Sequence, residues 1–156
     1  MKPVDFMKKL SVCVAPALLA GLVMSAPAHA FQPRDARETD AVNVRILQSE
    51  MMVAALACDM RQNYNSMISH FKQELVEHGR VLRRMFRRDH GGSAQKALDG
   101  FITQLANDAS IRSSRARGEF CVNAGQVFTS LLSGERSLAE TGLRTVEDKV
   151  TQPEKR

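Results

Sequence analysis

Beyond residue 30, apolar positions recur every three or four residues, and no segment holds the sustained alternation of a half-buried strand. The pattern predicts an all-α chain, a small bundle of three to four helices. The first runs over residues 40–61, "DAVNVRILQSEMMVAALACDMR", with Thr39 or Asp40 as N-cap. Its stretch 51–58 carries no charge on any side, which predicts a segment enclosed by neighbours at the centre of the bundle.

The second helix is expected over residues 63–88. Tyr64, Met67, Ile68, Phe71, Leu75, His78, Leu82, Met85 and Phe86 fall within one arc of about 100° at 100° per residue. Arg80, Arg83, Arg84, Arg87 and Arg88 occupy the opposite side, and Gly91-Gly92 supplies the stop. Ser93 can cap the next element, whose face begins with Leu98, Phe101, Ile102 and Leu105. That face continues through small residues, Ala109, Ser113 and Ala116, a seam that lets another helix approach closely. Gly118 marks an expected kink, followed by a stretch carrying Phe120, Val127, Phe128, Leu131 and Leu132. Periodicity leaves open whether residues 93–132 form one bent helix or two.

These elements define a bundle domain over residues 39–134. Residues 31–38 read as a flexible mature N-terminus. Residues 135–156 are polar, with few apolar anchors, and read as a weakly held tail.

The first thirty residues have the three parts of a secretory signal peptide. Lys2, Lys8 and Lys9 form a positive start, residues 10–24 an uncharged apolar stretch, and Ala28-His29-Ala30 a cleavage site. The apolar stretch is shorter than the roughly 20 residues that span a bilayer, and Pro16 and Gly21 interrupt it. Cys13 lies ahead of most of that stretch, after Val12, and so reads as a leader residue rather than a lipidation site. A mature chain starting at Phe31 has 126 residues, one domain's worth. The headline charge of +5 includes Lys2, Lys8, Lys9 and Asp5; without them 19 basic residues face 16 acidic ones, a balance of +3. The expected location is the periplasm, with no membrane span in the mature chain.

Export leaves two cysteines, Cys58 and Cys121, and an even pair in an oxidising compartment is expected to form a disulfide. Closing a loop of about 64 residues stabilises a fold by roughly 4 kcal/mol in the chain-entropy picture. The spacing fits neither a Cys-x-x-Cys redox pair nor a zinc site.

The arginine side is the strongest candidate for chemistry. A nucleic-acid surface would call for interleaved aromatics and a compartment that holds DNA, and nucleic acid is therefore not an expected partner. Clustered arginines do suit the phosphates of an anionic lipid or lipopolysaccharide surface, or an acidic envelope protein. An ordinary solvated helix face is the plain alternative.

Met51, Met52, Met60, Met67 and Met85, with His70, His78 and His90, raise a second reading as a copper or small-ligand carrier. Yet no two histidines are spaced i, i+4, and Met67, Met85 and His78 fall on the buried stripe. Haem attachment would need Cys-x-x-Cys-His, which is absent. No Gly-x-Ser-x-Gly, His-Glu-x-x-His or glycine-rich phosphate loop occurs, and no metal or cofactor is expected. The sequence therefore points to a non-enzymatic binding protein, with an assembly role through the small-residue seam as a third reading.

Overall fold

The computed structural model describes residues 32–151, with side chains through residue 147. The leader expected over residues 1–30 and the mature start at Phe31 lie outside the described residues. Among the described residues there is no strand. They form α1 (Ala36–Ala57), α2 (Arg61–His70), α3 (Lys72–His90), a 3-10 turn (Gly91–Ser93), α4 (Ala94–Arg115), α5 (Arg117–Leu132) and α6 (Leu138–Thr151). The all-α expectation agrees with this. The expected count of three to four helices is too low, because the second predicted helix is divided and the polar tail contributes another.

α1 starts ahead of the expected Asp40 because Asp35 caps it: its Oδ1 accepts from the Glu38 N–H at 2.8 Å. Glu38 reaches back in turn, accepting from the Arg34 N–H at 2.9 Å. The segment read as loose therefore begins a helix. α1 ends at Cys58, and Asp59 turns the chain with a left-handed φ of 58°, a conformation that Asp tolerates better than most residues. The Met60 N–H closes this corner on the Ala55 carbonyl at 3.1 Å.

α1 is the hub. It packs against α3, α4, α2 and α5, and most extensively against α6. One core joins Leu47, Met51 and Ala54 of α1 to Met67, Phe71, Phe128, Leu131 and Leu138. A second joins Ala41 to Val81, Leu82, Met85, Phe86 and Leu98 at the α1–α3–α4 junction. The uncharged stretch 51–58 is not enclosed throughout, however. Met52 is 36 % exposed and Leu56 63 %, since no neighbouring helix covers this i, i+4 pair.

The chain between α2 and α3 leaves helical geometry at Phe71, with φ −99° and ψ 18°, while the apolar stripe continues across it. Residues 93–132 are two helices, and the break falls at Ala116 (φ −140°, ψ 58°) rather than at Gly118. Ala109 and Ser113 are buried inside this bundle, so their close-packing partner is within the same chain. The Ala109 and Ser113 part of the seam is thus occupied within the chain, while Ala116 lies exposed.

Cys58 and Cys121 form the expected disulfide, with Cα atoms 5.6 Å apart and a sequence separation of 63. It ties the end of α1 to α5. Among the described residues no helix is long and apolar enough to cross a membrane.

The tail corrects the expectation most. Leu138 and Thr141 of α6 are each 1 % exposed, and Gly142 lies against the α1 backbone at Asn43. Apart from Leu138, the anchors are small or hydroxylated rather than apolar. Thr141 Oγ1 donates to the Ser137 carbonyl at 2.8 Å and Thr145 Oγ1 to the Thr141 carbonyl at 2.9 Å, so their polar atoms are satisfied within the helix.

Candidate anion-binding face and an adjoining cavity

α3 is the most strongly amphipathic of the described helices. Leu82, Met85 and Phe86 turn inward and are buried. The five arginines that oppose them in sequence separate into three groups in space.

Arg88 is a structural clasp. Its guanidinium donates to Glu38 at the start of α1, and to the neighbouring Asp89 through Nε at 2.8 Å and Nη2 at 3.0 Å. The bonds to Asp89 and then to Glu38 raise the Arg88 pKa further above its already high ordinary value. The Arg88 bond likewise holds the Glu38 carboxyl below the ordinary carboxylate range, with the Arg34 N–H as the second cause. Arg88 therefore leaves the candidate face, drawn off by a carboxylate distant in sequence. Its side chain is 29 % exposed, against 61 % for Arg80 and 59 % for Arg84.

Arg80 and Arg84 share one carboxylate, Glu77, at 3.4 and 3.9 Å, and Arg37 from α1 joins them at 3.8 Å. Three cations on a single exposed carboxylate remain largely uncompensated.

Arg83 and Arg87 are exposed and have no carboxylate within ion-pair distance among the described residues. Lys72, at the start of α3, is equally exposed and unpaired among the described residues. Lys72, Val76, Arg80, Arg83 and Arg87 follow one another at spacings of three and four, so they line one side of the helix over about 22 Å. Val76 is 45 % exposed within this basic stripe. Helical spacing alone places Lys72 and Val76 on this side, whereas Arg37 joins the face only through the fold.

Behind the face lies a cavity of about 90 Å³ between α1, α3 and α4. Leu75, Leu82, Leu98 and Ile102 supply apolar wall, and Arg45, Gln48, His78 and Arg83 supply the polar part. No carboxylate lines it. Arg45 is half-buried on α1, and its Nη1 donates to Gln48 Oε1 at 2.8 Å. Its Nε is buried with no acceptor. Burial draws the Arg45 pKa below its ordinary value, yet a guanidinium stays charged in any protein setting. Burial also pushes the Tyr64 phenol above its ordinary value, with Gln48 hydrogen bonding and the Arg45 charge acting in the opposite sense. The signal in the sequence was a lone arginine inside the otherwise uncharged run "AVNVRILQ".

The methionines and histidines of the copper reading are dispersed. Met51 and Met67 fill one core and Met85 the other. His70 edges against Phe71 at 4.6 Å, His90 stacks on Phe86 at 5.5 Å, and His78 lies on the cavity wall. Among the described residues no three His, Cys, Asp or Glu side chains gather where they could hold a metal ion. No family model, curated protein or solved structure matches this chain.

Proposed function

We propose that this chain is an exported, non-enzymatic protein of the bacterial envelope that binds an anionic, phosphate-bearing surface through α3. The observation that carries the reading is the stripe of Lys72, Arg80, Arg83 and Arg87, in which only Arg80 has a carboxylate partner, Glu77, and shares it with Arg37 and Arg84. Guanidinium groups match phosphate oxygens in geometry, and exposed Val76 gives the stripe an apolar point of contact. The disulfide is compatible with the oxidising compartment that the leader implies.

Each basic residue near an anionic leaflet contributes about 1 kcal/mol. A stripe of this size therefore gives weak, reversible attachment rather than permanent anchoring. The test compares variants on vesicles rich in phosphatidylglycerol. Arg83→Gln with Arg87→Gln lowers the bound fraction about tenfold or more at low salt. Arg88→Gln loosens the α1–α3 clasp and leaves surface affinity nearly unchanged. Equal binding by wild type and the Arg83/Arg87 double variant would remove the stripe as the contact.

A further inference from the structure

The cavity behind α3 is a different kind of site from the basic stripe. Its polar lining consists of donors and positive charge: Arg45, Arg83, His78 and the Gln48 amide, whose carbonyl oxygen is already taken by Arg45. Arg45 lines the cavity half-buried, with its Nη1 bonded to Gln48 Oε1 and with no carboxylate within ion-pair distance among the described residues. A guanidinium offers five donors and no acceptor, so what would complete this group is an acceptor-only anion. We infer that the cavity is a binding site for a small aliphatic monocarboxylate, its carboxylate on the Arg45 guanidinium and its alkyl end against Leu82, Leu98 and Ile102.

Three considerations select that class. First, half of the wall is branched aliphatic side chain. A divalent oxyanion such as sulfate would turn unsatisfied oxygens toward it, which is costly, whereas an alkyl carboxylate is divided in polarity as the cavity is. Second, size limits the occupant. An engineered cavity of about 150 Å³ takes one benzene ring. The about 90 Å³ here matches an acid of two or three carbons and is too small to enclose an aromatic one. Third, Gly79 lines the cavity from the middle of α3, where glycine costs roughly 0.8–1 kcal/mol relative to alanine. Its φ is not in the left-handed region, and an added β-carbon would meet only Arg83 Nη1 at an ordinary 3.6 Å. Neither backbone nor crowding calls for glycine there, and its absent side chain keeps the cavity open.

The experiment is a titration of the intact, oxidised protein with sodium propionate at constant ionic strength, followed by backbone amide NMR. The expected result is saturable shifts at Ala41, Val44, Gly79 and Leu98, with a Kd on the order of 1 mM. Benzoate at the same concentrations shifts none of them. Arg45→Gln weakens propionate binding at least about tenfold, the loss expected for a charge-assisted pair. Gly79→Leu fills the mouth of the cavity, keeps Arg45 in place and also removes binding. Arg87→Gln, which weakens the basic stripe at a residue outside the cavity lining, leaves propionate affinity unchanged, so this site and the surface reading are tested separately. Linear, non-saturating shifts in the wild type would overturn the proposal. So would an Arg45→Gln protein that binds propionate as tightly as wild type, or benzoate binding equal to that of propionate.

Discussion

Gly142 of α6 meets Asn43 of α1 backbone to backbone: a β-carbon on Gly142 would lie 2.8 Å from the Asn43 carbonyl carbon and 2.9 Å from its oxygen. Two helices come this close only where one of them lacks a side chain. The contact fixes α6 on the hub helix, beside buried Leu138 and Thr141.

Gly142→Ala is therefore expected to destabilise the fold by about 1–3 kcal/mol, the range for overpacking against backbone that cannot move aside. Gly100, exposed in α4, is the control, since a β-carbon there meets nothing within 4 Å. Gly100→Ala should stabilise by up to about 1 kcal/mol through helix propensity alone. Denaturant midpoints of the two variants measure both, and shifts of the same sign would contradict the account.

Those residues also explain why α6 was hidden in the sequence. Its buried positions are Leu138, Thr141 and Gly142, with Thr145 and Val146 partly covered, at helical spacing but mostly not apolar. A pattern read from hydrophobicity passes over threonines whose hydroxyls bond back to the preceding turn. A local signal was present nonetheless. Ser137 and Glu140 form a capping box, with the Glu140 N–H donating to Ser137 Oγ at 3.3 Å and the Ser137 N–H to Glu140 Oε2 at 3.1 Å. By contrast, the stripe on α3 was legible because Leu82, Met85 and Phe86 leave one side for arginine at any helical register. What periodicity could not supply was the far partner: Glu38 takes Arg88 away from the face, and Arg45 gains its cavity only when α3 and α4 close over α1.

The Glu38–Arg88 clasp carries a pH signature. Arg88, and secondly the Arg34 N–H, hold the Glu38 pKa below its ordinary value, and Arg88 does the same for Asp89. A carboxylate whose folded pKa is depressed contributes stability above its unfolded pKa, about 4.3 for Glu, and loses it as pH falls through the lower folded value. The Tm advantage of wild type over Glu38→Gln should thus be full at about pH 6 and shrink toward about pH 3. An advantage that grows on acidification would contradict the clasp.

Reduction of Cys58–Cys121 releases a loop with a sequence separation of 63. The Cys58→Ser, Cys121→Ser double variant should lose about 4 kcal/mol against the oxidised protein in equilibrium denaturation. A loss below about 1 kcal/mol would show that helix packing alone holds α1 to α5.

Arg45 should behave as a residue kept at no gain to the fold. Its guanidinium is half-buried, with Nε lacking an acceptor, so an apolar side chain of similar length serves the core at least as well. Arg45→Met is expected to leave stability unchanged or raise it by up to about 1 kcal/mol. A loss above about 2 kcal/mol in thermal denaturation would make Arg45 a structural requirement instead.

The central claim is that α3 presents uncompensated positive charge to an anionic surface, and wild-type binding across salt tests it most directly. Intact, oxidised protein is floated with phosphatidylglycerol vesicles at about 0.01 M and about 1 M salt, where the screening length falls from about 30 Å to about 3 Å. The account predicts binding at the lower concentration and its loss at the higher. No binding at low salt, or binding indifferent to salt, would contradict it.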